Sequence, residues 1–308
     1  MKTSDFFFEL PGSLIAQYPP PQRGQSRLMT LDRISGKRGH RMVNDLPEIL
    51  RPGDMLVFNN SKVRRARLAG RSLETGAAVE FLLVQQNGGQ WKCLVQRAKR
   101  RRPGSRYVFY GADGAEAARA EITAASGEFR FLSFDRPVDD EWLDQHGHIP
   151  LPPYIRREDT QADAGRYQTV YAADSGSSAA PTAGLHFTLE LLDRLNSAGI
   201  ESAFITLHVG LGTFLPVRSE YITGHVMHEE VFNIDGEAAD KIERAKAEGR
   251  RVVAVGTTSV RTLESAWMES AAGRLRRGEG STSIFIYPGY CFKVVDALFT
   301  NFHTPEST

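Results

Sequence analysis

The chain has 308 residues, a length typical of two domains or of one large domain with an insertion. Hydrophobic residues make up 41% and charged residues 24%, which excludes the disordered, collagen-like and fibrous classes. Two cysteines, Cys93 and Cys291, are too few for a disulfide framework, and the sequence has no signal-peptide pattern and no run of membrane-span length. We therefore expect a cytoplasmic protein without a membrane partner. We also expect a monomer, although none of these features determines the oligomeric state.

The net charge of +1 hides a strong segregation of charge along the chain. Residues 61–110 contain 12 Lys or Arg and 2 acidic residues, a balance of +10. Residues 111–150 contain 9 acidic residues and 3 arginines, a balance of −6. The first of these segments could offer phosphate groups a positive surface, and its alternative interpretation is a solvated loop.

Hydrophobic periodicity divides the chain into three regions. The first, up to about residue 60, ends in a Pro-Gly-Asp turn and a short apolar strand at 55–58. The second reads as short strands separated by glycine turns, which predicts a small antiparallel barrel or sandwich. Its predicted strands lie at 63–68, 79–84, 91–95, 106–110 and 128–134.

The third region alternates helices with apolar strands, which predicts βαβ units and a parallel sheet. One helix carries Leu189, Leu192 and Leu195 on one face and stops at Gly199, and a second is capped by Asp235 and stops at Gly249. The predicted strands lie at 200–207, 251–255 and 283–287. The predicted fold class is therefore α/β: a parallel-sheet α/β domain formed by 1–60 and 151–308, interrupted by an inserted antiparallel β-barrel domain at 61–150.

A Gly-Thr-Thr-Ser turn at 256–259 joins the predicted strand at 251–255 to a helix. Gly256 permits close approach of the backbone to a ligand, and a helix start offers unpaired N–H groups to an anion. Arg261, one turn further on, could contact a phosphate or carboxylate. The alternative is that Thr257 or Thr258 only caps the helix.

Five of the eight histidines fall in loops rich in glycine or polar residues. His186 follows a run of small residues, and His208 ends a predicted strand that leads into a glycine loop, where a parallel sheet places its ligand crevice. His225 and His228 share a face if their segment is helical, with Glu229 beside them. Their order does not fit a zinc motif, so we expect no metal site. For His186 the alternative is a packed, hydrogen-bonded turn.

Taken together, these segments resemble the S-adenosylmethionine:tRNA ribosyltransferase-isomerase family of queuosine biosynthesis, nearly from end to end. The motifs that carry the resemblance lie at 8–11, 14–17, 26–28, 53–59, 167–172, 180–187, 208–217, 225–229, 256–265, 288–290 and 300–303. In one respect the sequence departs from the family pattern: it stops at Thr308, where the family continues with an apolar segment. From this we expect the C-terminal edge of the site to be missing or disordered.

The resemblance implies an α/β domain with an inserted β-barrel, and an enzyme that transfers and isomerises the ribosyl moiety of S-adenosylmethionine. The acceptor would be 7-aminomethyl-7-deazaguanine at the tRNA wobble position, the product epoxyqueuosine-tRNA, and adenine and methionine would leave. S-adenosylmethionine would be a co-substrate, with no prosthetic group. Within this scheme we expect proton transfer from His186, His208, His225, His228 and Glu229, and binding of S-adenosylmethionine by Thr182, Gly184, Gly256, Thr257, Thr258 and Arg261.

The tRNA is expected to contact basic residues of the insertion, whose side chains can neutralise phosphates. These residues are Arg64, Arg65, Arg67, Lys99, Arg100, Arg101 and Arg102. Two alternative functions stay open: a tRNA methyltransferase that moves the methyl group of S-adenosylmethionine, and a non-catalytic RNA-binding protein. The first has little support, since the Gly-Thr-Thr-Ser turn is not a Gly-x-Gly-x-Gly nucleotide loop.

Overall fold

A computed structural model describes residues 1–111, 113–210, 217, 219–269 and 273–307. The chain divides into two compact units. One comprises Met1–Lys62, Pro153–Arg157 and Gly165–Thr308, and the other comprises Val63–Pro152 and Glu158–Ala164. Within the described residues, no helix is both long enough and apolar enough to cross a membrane.

The first unit contains the helices and a central sheet. Its strands are β1 (Arg27–Leu31), β2 (Arg38–Met42), β3 (Met55–Asn59), β11 (Asp174–Ser177), β12 (Glu201–Leu207), β13 (Glu230–Ile234), β14 (Val252–Val255), β15 (Gly278–Thr282) and β16 (Ala297–Phe299), and β4 (Ser61–Val63) leads out of it. Its helices are α1 (Leu46–Ile49), α4 (Leu189–Ser197), α5 (Gly236–Ala247) and α6 (Thr257–Glu269), with a 3₁₀ turn at Thr182–His186.

The central sheet has six strands in the order β15-β13-β12-β3-β14-β16. The four strands β12, β3, β14 and β16 are parallel, and β13 and β15 extend them in antiparallel pairing. Strand β3 lies at the centre, with β12 on one side and β14 on the other. After β12 the chain therefore crosses to the opposite side of β3 to form β14. Such an arrangement creates a crevice at the carboxyl ends of the parallel strands.

Both faces of this sheet are buried, which explains the continuous apolar runs of β3 and β14. Met55 and Val57 face a core that includes Ile242 of α5 and Leu263 of α6. Their neighbours in β3, Leu56 and Phe58, face the opposite core, which α4 covers with Leu191 and Leu195. Successive side chains of β3 thus point to opposite faces of the sheet, and each face packs against helices.

The second unit is a closed six-stranded antiparallel barrel in the order β10-β7-β6-β5-β8-β9. Its strands are β5 (Arg67–Ser72), β6 (Ala78–Asn87), β7 (Gln90–Val95), β8 (Arg106–Tyr110), β9 (Glu116–Ser126) and β10 (Phe129–Phe134), and its helices are α2 (Asp140–His146) and α3 (Gln161–Arg166), whose last two residues lie in the first unit. Trp91, Phe81 and Tyr107 fill its core. The predicted fold class, a parallel-sheet α/β domain with an inserted antiparallel barrel, is confirmed.

Two predicted strands differ from the structure. The strand predicted at 283–287 is irregular, because β13 pairs instead with the preceding residues Gly278–Thr282, which form the edge strand β15. The apolar side chains of this segment do not pack as those of a strand. The ring of Phe285, for example, contacts the ring of His225 at a centroid distance of 5.3 Å. The strand predicted at 63–68 is split between β4 and β5, because the backbone is irregular between them.

Candidate active site

The carboxyl edge of the central sheet gathers the polar residues that follow its parallel strands. Asn59 ends β3, His208 follows β12, Gly256 follows β14, and Asn301 lies two residues beyond β16. Strand β13 is antiparallel to β12, so it begins at this same edge, and His208 N–H donates to the carbonyl of Val231 at 3.0 Å. Loops at this edge are where an open α/β sheet binds its ligands.

His186 ends the 3₁₀ turn and is held from both sides of its ring. Nε2 lies 2.8 Å from Asn301 Oδ1, and Nδ1 lies 3.0 Å from Ser26 Oγ. The pKa of His186 is lowered, mainly because burial disfavours the charged ring and also because the Arg23 guanidinium repels it, while Asn301 opposes the shift. The imidazole is therefore neutral at neutral pH, as a proton acceptor must be.

The 3₁₀ turn packs tightly against its surroundings through small residues. A Cβ placed on Gly184 would lie 2.1 Å from the Tyr171 hydroxyl oxygen, and a Cβ placed on Gly256 would lie 3.6 Å from Ala183 Cβ. The turn containing Thr182 and Gly184 therefore lies directly beside the start of α6.

Three buried hydroxyl oxygens around this contact have no hydrogen-bond partner within the described part of the chain: those of Thr169, Tyr171 and Thr258. Burial raises the pKa of Tyr171, so its hydroxyl keeps its proton and can donate it to a hydrogen bond. Buried polar groups are almost always paired, and unpaired ones call for a ligand or water. Thr169 and Tyr171 lie beside Gly184, and the Thr258 hydroxyl lies at the start of α6 beside Gly256.

Arg261 is held by protein groups on two sides. Its guanidinium forms an ion pair with the buried carboxylate of Glu230, and its Nε donates to the carbonyl of Ile284 at 3.3 Å. Glu230 also accepts from the N–H of Gly210 at 2.8 Å. The Nη2 atom of Arg261 is buried and has no partner among the described residues, so one nitrogen stays available to an anionic ligand.

The remaining histidine candidates lie at the β12–β13 end of the edge. His208 packs its ring against Gly176, where an added Cβ would lie 2.9 Å from the ring. His225 and His228 do not share a helical face, because 225–229 have no regular structure before β13 begins. The pKa of His225 is lowered by burial and by His228, and Glu229 accepts a hydrogen bond from the Ser281 hydroxyl at 2.5 Å. Residues 211–216 of the glycine loop lie outside the described residues.

The five proton-transfer candidates thus share one edge but form two groups. From β13 to β16 there are four strand spacings, or about 19 Å. His186 belongs to the β14–β16 end, and His208, His225, His228 and Glu229 belong to the β12–β13 end. Gly256 follows β14 and therefore lies with His186 at the β14–β16 end. No group of three or more metal-ligating side chains occurs within the described ranges.

The predicted RNA-contacting residues of the barrel also fall into two sets. The first set is held by protein groups: Arg64 pairs with Asp140 at 2.8 Å, Arg65 donates to the carbonyl of Asp144 at 2.6 Å, and Arg67 pairs with Glu80 at 3.2 Å. The second set, Lys99, Arg100, Arg101 and Arg102, lies on and after a 3₁₀ turn, and all but the half-buried Arg101 are exposed.

Buried Arg130 supports that turn. Its guanidinium donates to the carbonyls of Arg101 at 2.6 Å and Gly127 at 3.1 Å, and also to that of Ala98. The turn begins at Arg97, whose φ of 57° is in the left-handed region. Arg130 thus fixes the backbone from which the exposed basic side chains project.

The sequence matches the family described as "Queuosine biosynthesis protein" over residues 3–308. A Treponema denticola protein named S-adenosylmethionine:tRNA ribosyltransferase-isomerase is 54% identical, with 100% of this chain and 89% of the relative covered. A Clostridioides difficile protein of the same name is 49% identical over the same shares. The chain belongs to this ribosyltransferase-isomerase family. The resemblance seen in the sequence motifs is confirmed, and the protein is an enzyme.

Among solved structures, the fold is similar to the crystal structure of S-adenosylmethionine tRNA ribosyltransferase from Thermotoga maritima. The two are 35% identical, with a TM-score of 0.50, and the match covers 99% of this chain and 86% of the other. In this ribosyltransferase-isomerase family member, the motifs at 180–187, 225–229, 256–265 and 300–303 lie at one edge of the sheet, together with the described residues 208–210 of the motif that begins at His208.

Sequence reasoning missed several residues of this site. Ser26 and Asn301 contact His186 across 160 and 115 residues of chain, and Tyr171 contacts Gly184 from another motif. All three lie in segments that carry the family resemblance, which was the one signal available for them. Arg130 was missed because a lone arginine in a strand gives no sign of the loop it supports.

Proposed function

We propose that this enzyme transfers and isomerises the ribosyl moiety of S-adenosylmethionine to 7-aminomethyl-7-deazaguanine at the tRNA wobble position. The product is epoxyqueuosine-tRNA, and adenine and methionine leave. The names of the relatives support the reaction class, and the carboxyl edge supplies the groups that it needs. S-adenosylmethionine enters as a co-substrate.

The chemistry places three demands on the site. A base must remove a proton from the ribose carbon beside the sulfonium, an acid must protonate the departing adenine, and the tRNA amine must be neutral to attack. His186, His208, His225, His228 and Glu229 are the proposed proton-transfer groups. Their distribution along the edge suits a reaction in which protons leave and arrive at different atoms.

The observation that carries the proposal is the contact of the 3₁₀ turn with the start of α6, at the edge where His186 lies. We assign S-adenosylmethionine to this region, with Thr182, Gly184, Gly256, Thr257 and Thr258 around it. A helix start and unpaired hydroxyls favour its ribose and carboxylate. Arg261 contributes the free Nη2 nitrogen, and Glu230 holds the rest of its guanidinium.

The tRNA is assigned to the barrel unit, through the exposed residues Lys99, Arg100 and Arg102 with Arg101 beside them. Arg64, Arg65 and Arg67 were predicted to take part, but their guanidinium groups are held by protein partners. We therefore give them a secondary role in tRNA binding.

The deciding experiment incubates the enzyme with S-adenosylmethionine and a tRNA bearing 7-aminomethyl-7-deazaguanine, followed by mass spectrometry of the nucleosides and assay of the small products. Epoxyqueuosine with free adenine and methionine is the expected result. S-adenosylhomocysteine with a methylated nucleoside would replace the proposal by methyl transfer. Binding of the tRNA without consumption of S-adenosylmethionine would contradict the proposal and favour a non-catalytic RNA-binding protein.

A further inference from the structure

Ser26, His186 and Asn301 form a linear array across one imidazole ring. Ser26 Oγ lies 3.0 Å from Nδ1, and Asn301 Oδ1 lies 2.8 Å from Nε2. Ser26 immediately precedes β1, His186 ends the 3₁₀ turn, and Asn301 follows β16, so three separate segments build the array. All three residues are half-buried, which leaves the array accessible at the edge of the sheet.

Asn301 and Ser26, the two partners of the ring, determine which imidazole nitrogen carries the proton. The carbonyl oxygen of an asparagine only accepts hydrogen bonds, so the proton of a neutral ring must be on Nε2. Nδ1 then has a free electron pair and accepts the hydrogen bond of the Ser26 hydroxyl. Burial and the facing Arg23 guanidinium both keep the ring neutral. A hydroxyl that donates to a neutral imidazole, itself oriented by a third group, is the arrangement that activates hydroxyls in enzymes.

The array also lies where the donor is assigned. His186 ends the turn whose Gly184 lies against the Tyr171 hydroxyl and whose Ala183 lies beside Gly256. The Ser26 hydroxyl is held against the ring by the backbone, since Ser26 O accepts from Val43 N–H at 3.0 Å. Both nitrogens of His186 are engaged, so a proton can reach the ring along the existing hydrogen bonds only through Ser26 or Asn301. Of these two, only the serine oxygen can both accept and donate a proton.

We propose that Ser26 is the hydroxyl through which His186 exchanges a proton with the substrate, and that Asn301 is a positioning residue for the imidazole. This inference rests on the proposed function. The Ser26 oxygen takes a proton from the substrate while its own proton passes to Nδ1, and the electron pair of the broken bond stays on the substrate. The ring becomes an imidazolium whose Nε2–H donates to Asn301. The reverse transfer restores both groups.

The kinetic test compares Ser26→Ala, His186→Gln and the double variant in adenine release. Each single substitution lowers kcat by about 100-fold or more with little change in KM, because general acid–base catalysis contributes that much. The double variant is no slower than the slower single variant, because the two groups act as one unit. Ser26→Thr retains most of the rate because it retains the hydroxyl. Ser35→Ala, at an exposed serine after β1, is the matched control and keeps full activity.

A purely structural role for Ser26 predicts a different outcome. Ser26→Ala would then lower kcat by only a few-fold, its effect would add to that of His186→Gln, and the acidic limb of the kcat pH profile would stay in place. The relay predicts that this limb, which reports protonation of His186, disappears in Ser26→Ala and in His186→Gln. Additive effects or an unchanged limb would overturn the proposal. Urea unfolding of each variant excludes loss of folding as the cause.

A second measurement does not depend on activity. Nitrogen-15 NMR of labelled histidine reports the tautomer of His186 in the intact protein. We expect the Nε2–H tautomer in the wild type and in Ser26→Ala, and a mixture in Asn301→Ala. The Nδ1–H tautomer in the wild type would overturn the relay. If the wild type releases no adenine, the proposed function fails, and the tautomer still decides whether this array exists as described.

Discussion

The contact between Gly184 and Tyr171 leaves no room for even one added methyl group. We expect Gly184→Ala to destabilise the protein by about 1–3 kcal/mol, the usual cost of overpacking, because its Cβ would lie 2.1 Å from the Tyr171 hydroxyl and 2.8 Å from Thr169 Cγ2. Tyr171→Phe removes the hydroxyl and should restore part of the loss in the double variant. Urea unfolding measures each step.

The matched control for this prediction is Gly165→Ala, because a Cβ there meets nothing within 4 Å. It should leave the free energy of unfolding nearly unchanged. If Gly184→Ala changes the free energy of unfolding as little as Gly165→Ala does, the backbone of the turn can shift at low cost. The close packing of Gly184 would then have no role in shaping the site.

His186 links stability to pH in a defined direction. Burial lowers the pKa of His186 in the folded protein below its usual value of 6.5, so below that pH the unfolded chain binds more protons than the folded one. The resulting stabilisation is complete above pH 6.5 and is lost as the pH falls towards the folded-state pKa. One such group changes stability by at most about 1.4 kcal/mol per pH unit. Urea unfolding at pH 7.5 and at successively lower pH measures the slope.

His186→Gln should make this slope shallower without removing it, because the pKa values of His225 and His303 are also lowered by burial. His40→Gln, at an exposed histidine on β2, is the control for the substitution itself. An identical slope in His186→Gln would mean that the ring is not held neutral by the fold.

At the scale of elements, helix α6 connects the site to the loop that precedes β16. The carboxylate of Glu264, fully buried in α6, accepts hydrogen bonds from the N–H groups of Lys293 at 2.8 Å, Val294 at 2.9 Å and Val295 at 3.0 Å. The Tyr290 hydroxyl donates to it at 3.1 Å, and burial together with Glu264 raises the pKa of Tyr290 to about 12. One carboxylate thereby pairs three consecutive backbone N–H groups of this loop.

Glu264→Gln should therefore destabilise the protein by about 2–3 kcal/mol, because the amide offers one acceptor oxygen in place of two and leaves buried N–H groups unpaired. Thermal unfolding measures the loss. Tyr290→Phe, which removes only one hydroxyl of the same network, should cost less than about 1.5 kcal/mol. Equal effects of the two substitutions would contradict the central role of the carboxylate.

Elements defined by local signals were predictable from the sequence. The helix from Asp235 begins where that side chain accepts the N–H of Ala238 at 2.7 Å, and the helix before Gly199 ends where φ becomes 77°. Strand β9 and the hairpin β1–β2 were not predicted, because β9 is rich in alanine and the hairpin is largely exposed. Alanine has a low strand propensity, so the alternation of Ala118, Ala120 and Ile122 with polar residues in β9 was only a weak signal.

The candidate site was predictable only as a set of segments. The order of predicted strands and loops placed only 208 and 256 at the carboxyl edge of the sheet, because β16, which precedes Asn301, was not predicted. The positions of His208 and Gly256 therefore followed from the sequence. The partners of His186 did not, because pairing across more than 100 residues depends on the tertiary fold. The ion pair of Arg261 with Glu230 was not predictable either, because it depends on where the antiparallel strand β13 lies in the sheet.

At the scale of the whole molecule, the segregated charge of the chain is concentrated in the barrel unit. Part of it is neutralised there, since Arg64 and Arg67 face Asp140 and Glu80. Lys99, Arg100 and Arg102 form no ion pair within the described residues and are exposed. The net +10 of residues 61–110 thus overstates the positive surface, which the turn supported by Arg130 concentrates in one place.

This distribution predicts which arginines govern the salt dependence of tRNA binding. Neutralising Lys99, Arg100 and Arg102 to Gln should reduce the slope of log K against log salt by about 2, since each phosphate contact contributes about 0.7–0.9. Neutralising Arg64, Arg65 and Arg67 removes the same charge from the same unit but should change the slope less, because Arg64 and Arg67 form ion pairs and the Arg65 guanidinium is held by the carbonyl of Asp144. Filter binding across a salt series, with far-UV circular dichroism to verify folding, measures both. Equal reductions in the two triple variants would mean that tRNA displaces the internal ion pairs. A reduction confined to the variant at Arg64, Arg65 and Arg67 would mean that the RNA contacts those residues and not the exposed turn.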